Sequence, residues 1–271
     1  MKTVKLALMA LVMSFGVTVS ASSGVTPEKE NNSKNSQKTL SSNVDLVKES
    51  NIQFKKGKII ELAYLSIKGG EEQTLQSEYF AKIMPIAAKY GGKILGSFQV
   101  TAVTGGEITP QTVVIFEWPT IASRDELLAN KEAQKLFPIR NAALTFGQVA
   151  YFTIEKDVTV TFREDKVYEF FNAWLTLDSE IELPKYFEKS DAPKKRYGSP
   201  KFLVSLNPVK DAYVDKGAFY IHPHMGGIVE WNNTAEFYGL TADPEFKEAK
   251  PFLDKSVSRL DMIHTKFDFP Q

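Results

Sequence analysis

Two stretches of this chain are written on one template. Residues 75–92 read LQSEYFAKIMPIAAKYGG, and residues 183–199 read LPKYFEKSDAPKKRYGS. Each carries a Tyr-Phe pair, a proline in its middle and a closing Tyr-Gly. Tyr79 and Tyr90 recur as Tyr186 and Tyr197, both at an offset of 107. Apolar, strand-like runs flank each copy. A supersecondary unit written twice constrains the fold more than any single residue, because each copy must find the same partners.

The first unit reads strand, helix, strand, strand, helix, strand. Lys56 to Ile67 is rich in β-branched and aromatic residues and predicts a strand. Leu75, Tyr79, Ile83, Ile86 and Tyr90 recur every three or four residues, which makes one apolar stripe of a helix. Pro85 should kink that helix or end it early, and Gly91-Gly92 should stop it. Strands follow over 93–103 and 112–118, then one helix over Ser123 to Leu144, then a strand over 148–154. The second unit repeats the order: strands over 166–175, 201–206, 227–231 and 261–269, with helices over 184–197 and 244–258. Glu117-Trp118 and Pro138 recur as Glu230-Trp231 and Pro251 at an offset of 113, so six extra residues fall in Asn207 to Gly226. A βαββαβ unit forms a four-stranded antiparallel sheet with both helices on one face. Its bare face needs cover, and a second copy supplies it. The expected fold is α+β: two fused ferredoxin-like units, 56–156 and 157–271, sharing one barrel-like core.

Residues 1–21 read as a cleaved secretory signal: Lys2 and Lys5, an apolar run from Leu6 to Val19, and small residues before a cut after Ala21. Residues 22–50 are rich in Ser, Asn, Lys and Glu and read as a flexible tether. The chain has no cysteine, so disulfides, thiolate chemistry and a lipoprotein anchor are excluded. A periplasmic or secreted bacterial protein is expected, with no membrane contact after cleavage. The 33 basic residues balance 33 acidic ones; without Lys2 and Lys5 the balance is −2, which does not suit a nucleic-acid binder. Either a monomer or a homodimer fits.

The first unit resembles the bacterial family catalogued as domain of unknown function 1330, in the dimeric α/β-barrel superfamily. The resemblance is carried by Pro85 to Gly92, by Val113 to Pro119, and by Ala133-Gln134-Lys135 with Arg140, over roughly Lys58 to Glu155. The second unit is a diverged copy, with Ser199 for the second glycine and no equivalent of Arg140. The resemblance implies the barrel fold. The superfamily spans cofactor-free monooxygenases, lactone isomerases, haem enzymes and proteins without known activity, so fold alone does not choose among them.

Several residues are candidates for chemistry. His222 and His224 lie two apart, so in an extended segment both imidazoles face one side. With His264 they would make a three-nitrogen metal or ligand set; the bland reading is a surface pair. Glu117 and Glu230 alternate with tryptophans on their strands. If the indoles pack under the helices, the carboxylates face the barrel interior, where a base would be tuned by burial, or pair with Lys or Arg at its rim. His264, Glu230 and Glu117 are thus the candidate bases. Arg140 suits an anionic ligand or a helix-end ion pair. Tyr64 and Tyr220 belong to a set of aromatics that fits either a core or an apolar pocket. No phosphate loop or nucleophile elbow is present, and no cofactor is read from the sequence. The leading expectation is a binder of a small, partly apolar molecule in a barrel or sheet–helix pocket. Its rivals are a cofactor-free oxygenase or isomerase using His or Glu as base, and a structural module filled by its own aromatics.

Overall fold

The computed structural model describes residues 47–209 and 219–269. The signal over 1–21 and nearly all of the tether over 22–50 lie outside the described residues.

Strand β1 (Glu49–Phe54) leads to β2 (Ile59–Ile67). Helix α1 runs through Glu72–Thr74, a π-helical Leu75–Phe80 and Ala81–Lys89. Then come β3 (Lys93–Gly105), β4 (Thr112–Trp118), α2 (Ile121–Ala129), α3 (Lys131–Ala143) and β5 (Leu144–Thr153). Strand β6 (Val158–Arg163) joins the halves. The second half follows as β7 (Val167–Leu175), α4 (Ser179–Arg196), β8 (Lys201–Pro208), β9 (Phe219–Tyr220), β10 (Met225–Trp231), α5 (Thr234–Ala242), α6 (Pro244–Ser256) and β11 (Val257–Phe267).

The two βαββαβ units are present, and they close one barrel. Its strands run β2-β4-β3-β11-β7-β10-β8-β5 and return to β2 through the β2–β5 pairing. The two seams differ. The β3–β11 seam pairs from Met262 opposite Gly105 to Phe267 opposite Phe98. The β5–β8 seam pairs only Phe152 with Pro208 and Thr153 with Asn207. Beyond that point the six-residue insertion supplies β9, which lies parallel to β5.

The barrel interior is filled by its own side chains, among them Tyr64, Phe98, Ile115, Phe152, Tyr168, Phe170 and Ile228. Phe98 sits edge-on to Phe162, Phe170 and Phe267 at 4.8–5.1 Å between ring centres, a favoured geometry for aromatic pairs.

Three sequence expectations are corrected and one is narrowed. Strands β1 and β6 pair as a separate antiparallel sheet, Glu49 opposite Arg163 through Phe54 opposite Val158. Their alternating Ile52, Phe54, Val160 and Phe162 enter the barrel core, so the tether ends before residue 49. Of the two outcomes expected at Pro85, a kink or an early end, the early end is excluded, because helix α1 continues to Lys89. The single helix expected over 123–144 is two, because Asn130 is extended (ψ 123°) and its side chain caps α3 at Glu132 and Ala133. The second half breaks at the same place: Asp243 (ψ 129°) caps α6 and separates it from α5. The Tyr-Gly closures hold. Gly91 and Gly198 take φ values of 76° and 81°, the left-handed geometry that ends a helix, and Ser199 follows at 49°.

Candidate functional site

The strand register matches the halves residue by residue. Glu61 on β2 lies between Phe116 and Tyr151; Glu169 on β7 lies between Val229 and His264. Glu61 and Glu169 therefore occupy one position of the template, and so do Tyr151 and His264. The caps Thr120 and Asn233 align α2 with α5, which sets Arg124 against Phe237. On the facing helices the 107 offset sets Tyr79, Ile83 and Ala87 against Tyr186, Ser190 and Lys194.

In the first half this position is closed. Glu61 is buried beneath the helices and accepts hydrogen bonds from the Trp118 indole at 2.8 Å and from Arg124 Nε at 2.9 Å. The Arg124 guanidinium lies over the Trp118 and Tyr151 rings at 5.3 and 6.0 Å. A buried carboxylate needs such partners, since desolvation of an unpaired charge costs several kcal/mol. The rest of the layer is apolar, with Leu75, Tyr79, Ile83, Ala87, Leu127 and Val149 packed on one another.

In the second half the same position is buried but has lost its cationic partner. Phe237 replaces the arginine, and among the described residues the hydrogen-bonding contact of the Glu169 side chain is His264 Nε2, at 3.4 Å. His264 is fully buried, its ring 4.5 Å from Phe237 and 6.4 Å from Trp231. Among the described residues, two buried side-chain nitrogens have no hydrogen-bond partner: Trp231 Nε1, whose counterpart bonds Glu61, and His264 Nδ1. The apolar cluster shrinks to Val167, Trp231, Phe237 and Leu240. Helix α4 presents a polar stripe here. Lys194 lies over the Tyr186 and Phe187 rings at 4.7 and 5.2 Å. Burial, against the pull of Glu169 and Asp191, brings its amine down to about 8. Burial, reinforced by the Glu169 charge, pushes the Tyr186 hydroxyl above its ordinary range. A carboxylate–imidazole pair, an amine and an indole donor thus share one layer with aromatic walls. Together they can donate to, accept from and exchange protons with a small molecule.

The residues expected from sequence are dispersed. His264 belongs to this layer, but His222 and His224 do not. His224 sits beside Ala173 and His264 beside Glu169 on the same strand, four residues or about 13 Å apart. Both loop histidines are exposed; His224 Nδ1 accepts from Leu175 N at 2.8 Å, and His222 stands edge-on to Tyr220 at 3.9 Å. No cluster of three metal-ligating side chains forms among the described residues. Glu117 pairs with Lys93 at 3.0 Å near the barrel rim, and Glu230 is half-buried opposite Tyr168. Arg140 is buried over Phe137 and Tyr79 and donates to Asn141. Tyr220 donates to the Val209 carbonyl at 2.8 Å. Tyr64 is in the barrel core, accepting from Asn172 at 2.8 Å, and burial raises its hydroxyl pKa. Sequence reasoning missed Glu169, Lys194 and Phe237. The 113 offset of the tryptophans, carried into the helix that follows them, would have set Phe237 against Arg124. Glu61 and Glu169 are 108 apart, so neither repeat offset pairs them and strand register was needed to match them.

Residues 65–151 match the family model described as Domain of unknown function (DUF1330), within the first half. None of the curated proteins matches the chain. Among solved structures, an anthrone oxidase-like protein is 13% identical, with 81% of this chain and 95% of that one covered and a TM-score of 0.49. A chlorite dismutase variant from Candidatus Nitrospira defluvii is 9% identical, covering 79% and 92%, at 0.48. A protein of unknown function from Rhodopseudomonas palustris is 19% identical, covering 40% and 86%, at 0.33.

Proposed function

We propose that this chain binds a small, partly apolar molecule between the sheet and helices of its second half, and that the first half is its structural counterpart. The observation that carries this reading is the pair of buried, unpartnered nitrogens, Trp231 Nε1 and His264 Nδ1, both bordering Phe237. Buried polar atoms are seldom left without partners, and the first half shows that this template can satisfy its tryptophan. A ligand with an aromatic or short aliphatic body and one hydrogen-bonding group complements the site. The body would rest against Phe237 and Tyr186. The leader-like sequence of residues 1–21 supports a binder that works outside the cytoplasm.

The test is a melting series with benzoate, benzyl alcohol and benzaldehyde. A ligand at a hundred times its Kd stabilises by about 2.7 kcal/mol, or roughly 5–10 °C in Tm for a chain of this size. At least one probe should give a shift of that order, and Phe237→Arg, which restores the first half's arginine, should abolish it. Equal melting of the wild-type protein with and without all three probes would overturn the reading.

A second reading rests on the 3.4 Å contact between Glu169 and His264. A carboxylate that orients an imidazole makes a general base, so the layer would abstract a proton from its guest. Deuterium washed into a bound ketone by the wild-type protein but not by His264→Phe would favour it.

A further inference from the structure

The second half's layer also holds an amine in an unusual setting, and a role for that amine rests on the proposed admission of small molecules there. Helix α4 carries neighbouring lysines that are paired in the ordinary way: Lys185 with Glu182 and Lys195 with Asp191, each at 2.7 Å. Lys194 differs. It occupies the template position of Ala87, a buried alanine whose methyl packs in the first half's apolar layer. The second copy thus extends an amine where the first keeps a methyl group. The amine rests over the Tyr186 and Phe187 rings, with Glu169 as its nearby counter-charge and no carboxylate in ion-pair contact among the described residues.

We infer that Lys194 is a covalent capture site for small aldehydes, which it holds as a Schiff base. The Nζ lone pair attacks the carbonyl carbon, and the carbonyl π electrons move to oxygen. A proton passes from nitrogen to that oxygen, giving a carbinolamine. Loss of water then forms the C=N bond, so amine and aldehyde give imine and water with no change of oxidation state. Lysines desolvated among apolar groups are activated for this addition. Lys194 is half-buried, and the desolvation of its amine against the aromatic rings leaves more of it neutral at pH 7 than that of an exposed lysine. The Glu169–His264 pair stands ready to carry the proton that leaves with water. The aromatic walls favour an aldehyde with an apolar body over a sugar or a phosphorylated one.

Benzaldehyde with sodium cyanoborohydride at pH 7, followed by peptide mapping, reads the site directly. The reduced adduct should form on Lys194 at least tenfold faster than on the exposed Lys135 and Lys195. Lys194→Ala reproduces the first half's residue and should lose only that adduct. Labelling spread evenly over the lysines, or a pattern unchanged in Lys194→Ala, would overturn the inference. Benzyl alcohol, which cannot form an imine, separates capture from binding. A melting shift with it but no selective adduct sinks the capture site alone, while no selective adduct and no shift with benzyl alcohol, benzoate or benzaldehyde sinks the layer as a binding site too.

Discussion

At the level of single residues, the two halves share a template and diverge at the carboxylate beneath their helices. Glu61 is held by Arg124 and Trp118; at Glu169 the arginine is lost and the tryptophan indole, Trp231 Nε1, is left without a bond among the described residues. A buried ion pair is weak evidence of net stability, but breaking one is costly. Arg124→Leu should cost about 3–5 kcal/mol, read by urea denaturation, because it strands the Glu61 charge. Phe237→Leu, at the equivalent position, should cost less, since no charge loses its partner. Lys194 gives a pH test. Its folded-state pKa lies below the ordinary lysine value, so the unfolded chain binds more protons between about pH 8 and 10, and stability from this group rises with pH across that window. Below pH 8 its contribution is constant and unfavourable. The difference in unfolding free energy between wild type and Lys194→Ala should therefore move in favour of wild type from pH 8 to 10. A flat difference would show that the amine is ordinary.

Among the helices and strands, the repeat was legible from Tyr-Phe, Tyr-Gly and Glu-Trp alone; Tyr-Gly marks the helix ends and Glu-Trp the strand ends, while Tyr-Phe lies in the middle of each helix. The break between α2 and α3 was not legible, nor was α5, which precedes the helix expected from Pro244. A single extended residue, Asn130 or Asp243, separates the two helices of each pair. The signal was present as a capping residue two positions before Glu132 and Glu245. Strand β6 went unread because VTVTFR buries only Val160 and Phe162 in a short, polar run. Asn130→Ala should cost about 1 kcal/mol for the lost cap. Asp243→Ala should cost more in the same denaturation series, because Asp243 also receives Arg196 of α4 at 2.9 and 3.1 Å. Equal costs would mean that the Arg196 tie contributes no more than the hydrogen bond from Asn130 Nδ2 to the Tyr90 hydroxyl, at 3.0 Å, that Asn130→Ala also removes.

Across the molecule, duplication closes a barrel and then frees one half from symmetry. The filled interior and the long β3–β11 seam serve both halves. The first half's layer is apolar around a closed ion pair, and the second half's layer carries the departures: His264 for Tyr151, Phe237 for Arg124, Lys194 for Ala87. Only His264 among these was singled out from sequence, because histidine is rare in this chain. Glu169 and Lys194 were hidden among many charged residues, and their meaning comes from which positions face the layer. The chain contains three tryptophans, so three indole N–H resonances report on binding, one of them from the layer itself. Nitrogen-15 spectra recorded while titrating benzoate, benzyl alcohol and benzaldehyde should move the Trp231 indole N–H and leave that of Trp118, already bonded to Glu61, in place. A Trp231 signal unmoved by all three probes, or a Trp118 signal that moves as far, would contradict binding in the second half's layer.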